Sequence, residues 1–235
     1  MRALIRLFKR LVVLALVCAV IFACFLVKDG HKLYEEALAE YSVEEVMGQI
    51  ESQPNYTRIS EVPQIYLNAV IATEDHRFYT HHGIDYIAVV RALVHNLQSG
   101  SLVEGGSTIT QQLAKNQFFT QKKEIERKIA EVFMVREIEK RYSKDQILEF
   151  YINSIYYGEG FYNIYDASMG YFGKAPNYLT DGECTMLAGL PNAPSVYAIT
   201  TNPDLAKQRQ RQVLNDMVVW GYLTEQEADR IFEQS

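Results

Sequence analysis

An unbroken apolar stretch lies near the start of the chain. Residues 11–27 contain 17 apolar side chains in succession, and four positive charges precede them within residues 2–10. A helix of this length, rising about 1.5 Å per residue, is at the short end of what crosses a hydrocarbon core of roughly 30 Å. We predict a cytoplasmic tail over residues 1–10, a transmembrane helix over 11–27 and the rest of the chain on the outer face, because positive charges favour the cytoplasmic side.

A cleaved signal peptide has the same charged start and is the alternative interpretation of this segment. The apolar centre of a signal peptide usually has only about 7–15 residues, and no small-x-small cleavage pattern precedes Lys28 here. Both observations favour a retained anchor. We therefore expect a single-pass membrane protein.

Beyond the anchor, apolar positions recur at helical spacing. Residues 28–58 are charged, with Leu33, Ala37, Leu38 and Tyr41 on one side. We predict that they form a helical stalk and linker that lifts the following domain from the membrane. The remaining residues, 59–235, are enough for one substantial domain and too few for two full-sized ones.

Helical periodicity continues through this domain. It predicts helices over residues 64–73, 85–97 and 124–142, a helix that begins at the capping box Ser143-Lys144-Asp145-Gln146, and a last helical pair broken at Gly221. Residues 98–106 interrupt the pattern as a loop. No segment shows a convincing run of alternating strand residues, so the predicted fold class is all-α.

The chain beyond the anchor is acidic. After the leading positive charges, 19 Lys and Arg face 29 Asp and Glu, which leaves a formal charge of −10. This balance argues against a nucleic-acid partner, because nucleic-acid binding depends on basic patches. Cys184 is the one cysteine after residue 27 and is expected to be a buried small residue, so no disulfide forms within the domain. The five histidines show no zinc-binding spacing.

Two polar clusters depart from the pattern of a core. The first reads E-D-H-R-F-Y-T-H-H-G over residues 74–83, and the second reads G-G-S-T-I-T-Q-Q-L-A-K-N over residues 105–116. An acidic pair beside histidines, followed by a glycine-rich loop and a run of amides ending in lysine, offers a candidate proton acceptor and many hydrogen-bond donors. This chemistry suits a polyhydroxylated substrate that carries phosphate.

These clusters are the first two motifs of an ordered set. The set continues with Arg127-Lys128 and Glu131, then with Lys144, Glu149, Asn153, Tyr156 and Gly158, and ends with Ala193-Pro194-Ser195. In content and order it resembles the peptidoglycan glycosyltransferases of family 51, the transglycosylase domain of class A penicillin-binding proteins. The resemblance covers roughly residues 60–230 and implies a lysozyme-like, bilobal domain with a cleft between its lobes.

The resemblance also implies roles for individual residues. Glu74 is the expected general base, a role that a carboxylate fills best when partial burial raises its pKa toward the working pH. Glu131 is the second expected catalytic acid, which orients the donor or assists its leaving group. The expected substrate-binding residues are Asp75, Phe78, His81, Gly83, Ser107, Thr108, Gln111, Gln112, Lys115, Asn116, Lys123, Arg127, Lys128, Asn153 and Tyr156.

The basic residues of this set are expected to bind the departing diphosphate. The residues concerned are Lys115, Lys123, Arg127 and Lys128. Many relatives carry arginine near Lys123, and a lysine keeps the charge but loses bidentate geometry. Simpler interpretations stay open for several residues: Glu74 as a solvated acid at a helix end, Arg127 and Lys128 as an exposed helix face, and Asn153 and Tyr156 as struts between segments.

The implied reaction is the polymerisation of lipid II into linear glycan strands. The 4-hydroxyl of an acceptor N-acetylglucosamine attacks C1 of a donor N-acetylmuramic acid with inversion, and undecaprenyl diphosphate leaves. The implied partners are lipid II, the lipid-linked glycan chain, the membrane and cell-wall synthesis proteins. A divalent cation, Mg²⁺ or Mn²⁺, is implied by the resemblance alone, because no carboxylate cage is visible in the sequence. Sensitivity to moenomycin-like phosphoglycolipids is implied in the same way.

Two further expectations concern the membrane and a second activity. Phe118-Phe119 and the loop over residues 97–103 are expected to reach into the bilayer, with packing between lobes as the alternative. The sequence contains no S-x-x-K motif, so we expect a monofunctional enzyme without a penicillin-sensitive transpeptidase.

Two other functions stay open at this point. A hydrolase of the same fold would cut glycan strands with Glu74 as its acid, although it would not need the basic residues. A catalytically silent scaffold would bind lipid II without turnover.

Overall fold

Helices follow one another through nearly all of the chain. The computed structural model describes residues 2–100, 105–119 and 124–235. The α-helices in these residues are α1 Arg2–Glu40, α2 Val43–Glu51, α3 Gln64–Glu74, α4 Tyr86–Ser99, α5 Ile109–Phe118, α6 Glu124–Arg141, α7 Lys144–Ile152, α8 Ile164–Phe172, α9 Asp181–Gly189, α10 Pro203–Val219 and α11 Glu225–Glu233. Within the described residues, the only paired extended backbone is an isolated bridge between Gly158 and Phe161. The all-α prediction is confirmed.

Side-chain caps fix where several of these helices begin. The predicted capping box at Ser143 is present, because the backbone N–H of Gln146 donates to Ser143 Oγ at 3.3 Å and Gln146 Oε1 accepts from Ser143 N–H at 3.0 Å. The same reciprocal arrangement occurs at Ser42, Thr108 and Thr180. Each box satisfies backbone donors that the helix itself leaves unpaired.

The apolar stretch at the start of the chain forms part of a single long helix. From Ile5 to Glu40, α1 is long and apolar enough to cross a membrane, and its apolar side chains over residues 5–27 are exposed. The helix does not end with the apolar stretch. It continues for 13 residues beyond Val27, to Glu40.

The prediction that residues 28–58 form a stalk is wrong, because this segment packs on the rest of the protein. The second half of α1 lies along α6, and Leu33 is buried there. Val43, Met47 and Ile50 of α2 belong to the main hydrophobic core. Of the apolar positions interpreted as one side of a free helix, Ala37 and Leu38 also pack against the core, whereas Tyr41 is exposed.

A glycine allows α1 and α6 to approach closely. A Cβ atom added at Gly30 would lie 2.5 Å from Cβ and Cγ2 of Ile129 on α6. Near this point, the ring of His31 packs edge-on against Phe133 with centroids 4.9 Å apart. Because α6 also carries Arg127 and Lys128, the anchor helix contacts the same helix that presents the predicted cations.

This contact leads to a prediction about stability. Gly30→Ala should destabilise the protein by about 1–3 kcal/mol, because the added methyl group overpacks the α1–α6 contact. Gly48→Ala is the matched control, since Gly48 lies in α2 with nothing within 4 Å of an added Cβ. That change should stabilise the helix by roughly 0.5–1 kcal/mol. Thermal unfolding of both variants in detergent tests the prediction, and equal shifts would contradict it.

Two groups of packed helices share the main core. One contains α1, α5, α6 and α7, and the other contains α3, α9, α10 and α11. A cleft of about 870 Å³ lies where the groups meet, lined by residues from α3, α4, α5, α6 and α10 and by the segment before α5. This arrangement corresponds to the predicted pair of lobes with a cleft between them.

Helix α4 lines the cleft through Ala88 and Arg91 but contributes little to the core. It is amphipathic as predicted, but its large apolar side chains are exposed and only Ala92 is buried. The membrane-contact prediction for Phe118-Phe119 is wrong, because Phe119 is buried and Phe118 packs against the core. Leu97 is exposed, whereas residues 101–103 of the predicted contact loop lie outside the described residues.

Candidate active site

The end of α3 places Glu74 in the cleft. This helix is buried on most sides, and the side chains that hold it in the core are Tyr66, Leu67, Ala69, Val70, Ile71 and Ala72. Glu74 is its last residue, as the sequence predicted, and Asp75 leaves the helical conformation. A rigid, core-embedded helix therefore fixes the position of the carboxylate in the cleft.

The Glu74 carboxylate has one bonded oxygen and one free oxygen. Gln112 Nε2 donates to Glu74 Oε2 at 2.7 Å, whereas Oε1 is shielded from solvent and has no hydrogen-bond partner. Burial raises the pKa of Glu74 and the charge of Asp75 adds to this, while Gln112, Arg209 and Lys115 act to lower it. A carboxylate with a free oxygen and a raised pKa has the properties of a proton acceptor.

The polar groups of Asp75 and His81 are bonded to other parts of the protein and so connect separate segments of the chain. The backbone N–H of Gly83 donates to His81 Nδ1 at 3.1 Å, so the ring proton is on Nε2, which lies 2.9 Å from both carboxylate oxygens of Asp75. Asp75 Oδ2 also accepts from the backbone N–H of Ile109 at 3.1 Å. Asp75 thus ties the end of α3 to the start of α5, and it positions Glu74 relative to Gln112.

The start of α5 is held by its own polar side chains. Thr108 Oγ1 donates to the carbonyl of Gly83 at 2.6 Å and accepts from the backbone N–H of Gln111. Gln111 Oε1 accepts from Thr108 N–H at 3.1 Å. Both residues line the cleft, but most of their hydrogen-bonding capacity is used in capping the helix. Gln112, by contrast, points its amide at Glu74.

Glu131 is paired with two cations at one side of the cleft. Its side chain is 0% exposed. One carboxylate oxygen accepts from Arg127 Nη1, and the other accepts from Lys128 Nζ at 2.8 Å. Lys128 Nζ also lies 2.9 Å from Ser107 Oγ. Each oxygen of Glu131 accepts from one cation, an arrangement that holds Arg127 and Lys128 in place.

The cationic side of the cleft contains three of the four predicted basic residues. Arg127, Lys128 and Lys115 all line it, together with the backbone and side chain of Ser107. Lys115 is exposed and makes no ion pair within the described residues. Lys123 lies outside those residues. Preorganised positive charge of this kind stabilises a group that becomes more negative during a reaction.

Several predicted residues lie elsewhere. Phe78 is fully buried in the core, and Gly83 has φ +82° with Val135 close behind it, so both maintain the local fold. Asn116 is half-buried and does not line the cleft in the described part of the chain. Asn153 is fully buried. Its Oδ1 accepts from the backbone N–H of Thr57, and its Nδ2 donates to the Thr57 carbonyl, both at 2.8 Å.

Tyr156 is also remote from the cleft lining. Its ring packs against Tyr162 with centroids 4.8 Å apart, and its hydroxyl accepts from the backbone N–H of Gly160 at 3.4 Å. Of the two interpretations offered for Asn153 and Tyr156, the structure supports struts between segments.

The cleft also contains residues that the sequence reasoning missed. His76 lines the cleft directly after the acidic pair, and so do Arg209 and Asp216 of α10 and Trp220, which follows this helix. The last three residues alternate along the chain with buried positions such as Val213 and Met217. The spacing shows that they share a face, but it does not show that this face meets α3.

The cleft provides few free ligands for a metal ion. No group of three or more His, Cys, Asp or Glu in the described part of the chain could hold one. Asp75, Asp85 and Glu131 are engaged through both oxygens with protein groups, which leaves Glu74 and Asp216. This set does not fit a protein-bound Mg²⁺ or Mn²⁺, which prefers several oxygen ligands.

Comparisons with known proteins give consistent matches. The family described as Transglycosylase matches residues 43–218. A Cupriavidus necator protein named as a putative transglycosylase is 48% identical over 176 residues, covering 75% of this chain and 76% of that protein. Penicillin-binding protein 1A of Neisseria gonorrhoeae is 45% identical over 199 residues, covering 84% of this chain. The match covers 25% of that relative's own length.

Solved structures also match this chain. Penicillin-binding protein 1A from Haemophilus influenzae gives a TM-score of 0.46 at 22% identity, covering 77% of this chain and 17% of that one.

Proposed function

The chain belongs to the transglycosylase family, whose domain acts in peptidoglycan synthesis, and on this premise we propose that it polymerises lipid II into linear glycan strands. One observation carries the proposal. A single cleft contains a carboxylate with a raised pKa and a free oxygen, Glu74, and a preorganised group of cations around Glu131. A glycosidase would need the acid but not the cations.

In the proposed reaction, Glu74 accepts the proton of the acceptor. The 4-hydroxyl of N-acetylglucosamine attacks C1 of N-acetylmuramic acid from the face opposite the leaving group. An O4–C1 bond forms as the C1–O bond to the diphosphate breaks, and the configuration at C1 inverts. The proton goes to the carboxylate of Glu74, and the bonding electron pair goes to the diphosphate. Gln112 donates to one oxygen of this carboxylate and so holds the base in place.

The cations bind the departing undecaprenyl diphosphate. Arg127 and Lys128 are fixed by Glu131, which spares them reorganisation when negative charge develops on the leaving group. Lys115 adds an exposed positive charge on the same cleft. We assign Lys123 to this group as well, on the sequence motif alone. The reaction as proposed runs through these side chains, with no step routed through a divalent cation.

Membrane attachment suits a lipid-linked substrate. We propose that α1 spans the plasma membrane of a bacterium with its basic N-terminus in the cytoplasm. The exposed apolar side chains of α4, which include Ile87, Val90 and Leu93, would then lie against the bilayer surface beside the cleft. Cell-wall synthesis proteins are candidate partners on the outer face. No S-x-x-K motif occurs within the 235 residues, so we assign them no transpeptidase chemistry.

Polymerisation of purified lipid II by the full chain in detergent tests the proposal. We expect glycan strands of several disaccharides, one undecaprenyl diphosphate released per new bond, and an inverted configuration at C1 by NMR. Preformed strands incubated without lipid II should keep their length. Shortening of those strands would indicate the hydrolase, and saturable lipid II binding without any new bond would indicate the scaffold. Either result would contradict the proposal.

A further inference from the structure

One face of α10, together with Trp220 directly after the helix, supplies a cation, a carboxylate and an aromatic ring to the cleft. Arg209, Asp216 and Trp220 are separated by seven and four residues, so they lie along the same side of the helix. The adjoining side of the helix is buried in the core, through residues such as Val213 and Met217. We refer to Arg209, Asp216 and Trp220, together with His76, as the α10 wall.

Trp220 is held in a fixed orientation beside the reaction centre. Its ring stacks on His76 with centroids 3.6 Å apart and planes 7° from parallel. His76 lies two residues after Glu74, which connects the stack to the carboxylate. Trp220 is 43% exposed although His76 covers one face of the indole. Trp220 therefore keeps surface that a ligand in the cleft can contact.

Asp216 and Arg209 carry unused hydrogen-bonding groups next to this ring. The Asp216 carboxylate is half-buried and makes no hydrogen bond to a described residue. Burial raises the pKa of Asp216, Arg209 acts to lower it, and the charge of Glu74 raises it further. Arg209 donates through Nε to the carbonyl of Gly189 at 3.2 Å and through Nη1 to Gln212 Oε1 at 3.0 Å. Its Nη2 has no such bond to the described residues.

These groups match the chemistry of a sugar ring. A pyranose has an apolar C–H face and a rim of hydroxyl groups, and the negative face of an aromatic ring attracts C–H groups. A carboxylate accepts from hydroxyl groups, and a guanidinium donates to hydroxyl or acetamido oxygens. A hydrogen-bond acceptor, Asp216, and a donor, Arg209, line the cleft together with the exposed ring of Trp220. The cations on α5 and α6 suit a diphosphate instead.

We propose that the α10 wall binds the acceptor N-acetylglucosamine ring, with Trp220 against its C–H face and Asp216 and Arg209 bonded to its polar rim. This inference rests on the proposed function, because it takes Glu74 as the base that meets the acceptor hydroxyl. The sugar that presents this hydroxyl must lie next to Glu74. Glu74, His76 and Trp220 line the same cleft.

The experiment uses Trp220 as its own reporter, since it is the one tryptophan in the sequence. The full chain in detergent is titrated with tri-N-acetylchitotriose, a phosphate-free oligomer of N-acetylglucosamine, and tryptophan fluorescence is recorded. We expect a saturable change, which maltotriose, lacking acetamido groups, does not reproduce. Asp216→Asn should weaken this binding. The absence of a saturable change in the wild type would overturn the inference.

A kinetic arm separates substrate binding from a merely structural role. Trp220→Leu should raise KM for lipid II roughly 3–10-fold and leave kcat within about twofold, the size expected for an aromatic contact. Trp220→Phe should recover most of the loss. Val219→Ala, which changes an exposed neighbour outside the cleft, should behave as wild type. An unchanged KM in a folded Trp220→Leu variant would overturn the inference.

The two proposals fail separately in this design. If the wild type polymerises lipid II while the titration and the KM of Trp220→Leu show no effect, the α10 wall is refuted and the proposed function stands. If the wild type binds tri-N-acetylchitotriose saturably but forms no glycosidic bond, the proposed function is refuted while a sugar site at Trp220 stands, and its assignment to an acceptor is withdrawn.

Discussion

Replacing Glu74 with glutamine is expected to remove strand formation and leave the protein folded. General-base catalysis contributes about 10²–10⁴-fold to a reaction rate, so kcat/KM for lipid II should fall by a factor in this range. The variant keeps the size of the side chain, and its amide oxygen can still accept from Gln112 Nε2. The loss would therefore report on proton transfer and not on the shape of the cleft.

The stability of this variant gives an independent check with a definite sign. Burial raises the pKa of Glu74 in the folded protein above its value in the unfolded chain. Between those two values the folded state binds more protons, so the contribution of Glu74 to stability is largest at low pH and is lost as the pH rises through the folded-state pKa. Glu74→Gln carries no charge at any pH. It should be at least as stable as wild type at pH 7, and this advantage should disappear at about pH 4 and below, where an ordinary glutamate also becomes protonated.

The pH dependence of activity tests the same group in the wild type. Because only the carboxylate accepts a proton, kcat/KM should fall on the acid side through the raised pKa of Glu74, at a pH above that of an ordinary glutamate. The residual rate of Glu74→Gln should lack this acid limb. Glu233→Gln, which changes an exposed acid in α11, serves as the control and should keep both rate and profile. Strand formation by Glu74→Gln at the wild-type rate would remove Glu74 from the mechanism.

The sequence predicted those features that depend on local patterns. Capping residues such as Ser143 determine helix starts through neighbouring backbone groups, so these boundaries could be inferred without tertiary contacts. Glu74 was expected at a helix end and lies there. Cys184 was expected to be buried and is fully so, because an apolar helical pattern surrounds it. The motifs also identified most of the polar residues that the fold brings into the cleft.

Features that depend on contacts between distant segments could not be inferred in this way. The α10 wall meets residues more than 130 positions earlier in the chain, and helical spacing alone does not say which neighbour an exposed face will meet. Asn153 has a polar side chain of the type expected in a cleft. Its amide is instead bonded to the backbone of Thr57 and to a backbone carbonyl of its own helix. Amphipathicity likewise indicated a helix at α4 without showing that its apolar face remains uncovered.

Replacing Glu131 with glutamine is expected to cause the second-largest loss of activity. The reason is displacement of Arg127 and Lys128, not removal of a base. The change removes the negative charge from a fully buried site that holds Arg127 and Lys128. Breaking a buried pair by removing one partner costs about 3–5 kcal/mol, and the lower end applies here because Lys128 is half-exposed and can turn to solvent. Displaced cations would no longer stabilise the leaving group, and a misplacement of about 1 Å can reduce a rate roughly 10²-fold.

The same helix provides the control for this change. Glu137 pairs with Arg141 four residues later, as Arg127 does with Glu131, but this pair is partly exposed at the end of α6. Glu137→Gln should cost no more than about 1 kcal/mol and leave polymerisation unchanged. A comparison of the two variants by thermal unfolding and by kcat/KM therefore separates the buried site from an ordinary ion pair on one helix.

The pH profile decides what Glu131 does in the reaction. If it positions cations, the residual activity of Glu131→Gln keeps the acid limb that belongs to Glu74, because the base is unchanged and only the stabilisation of the diphosphate is lost. If Glu131 itself transfers a proton, the variant must lose a limb of the profile while Arg127 and Lys128 stay in place. Both oxygens of Glu131 accept from cations in the structure, so we expect the first outcome. Loss of the acid limb in a stable Glu131→Gln variant would contradict a positioning role for Glu131.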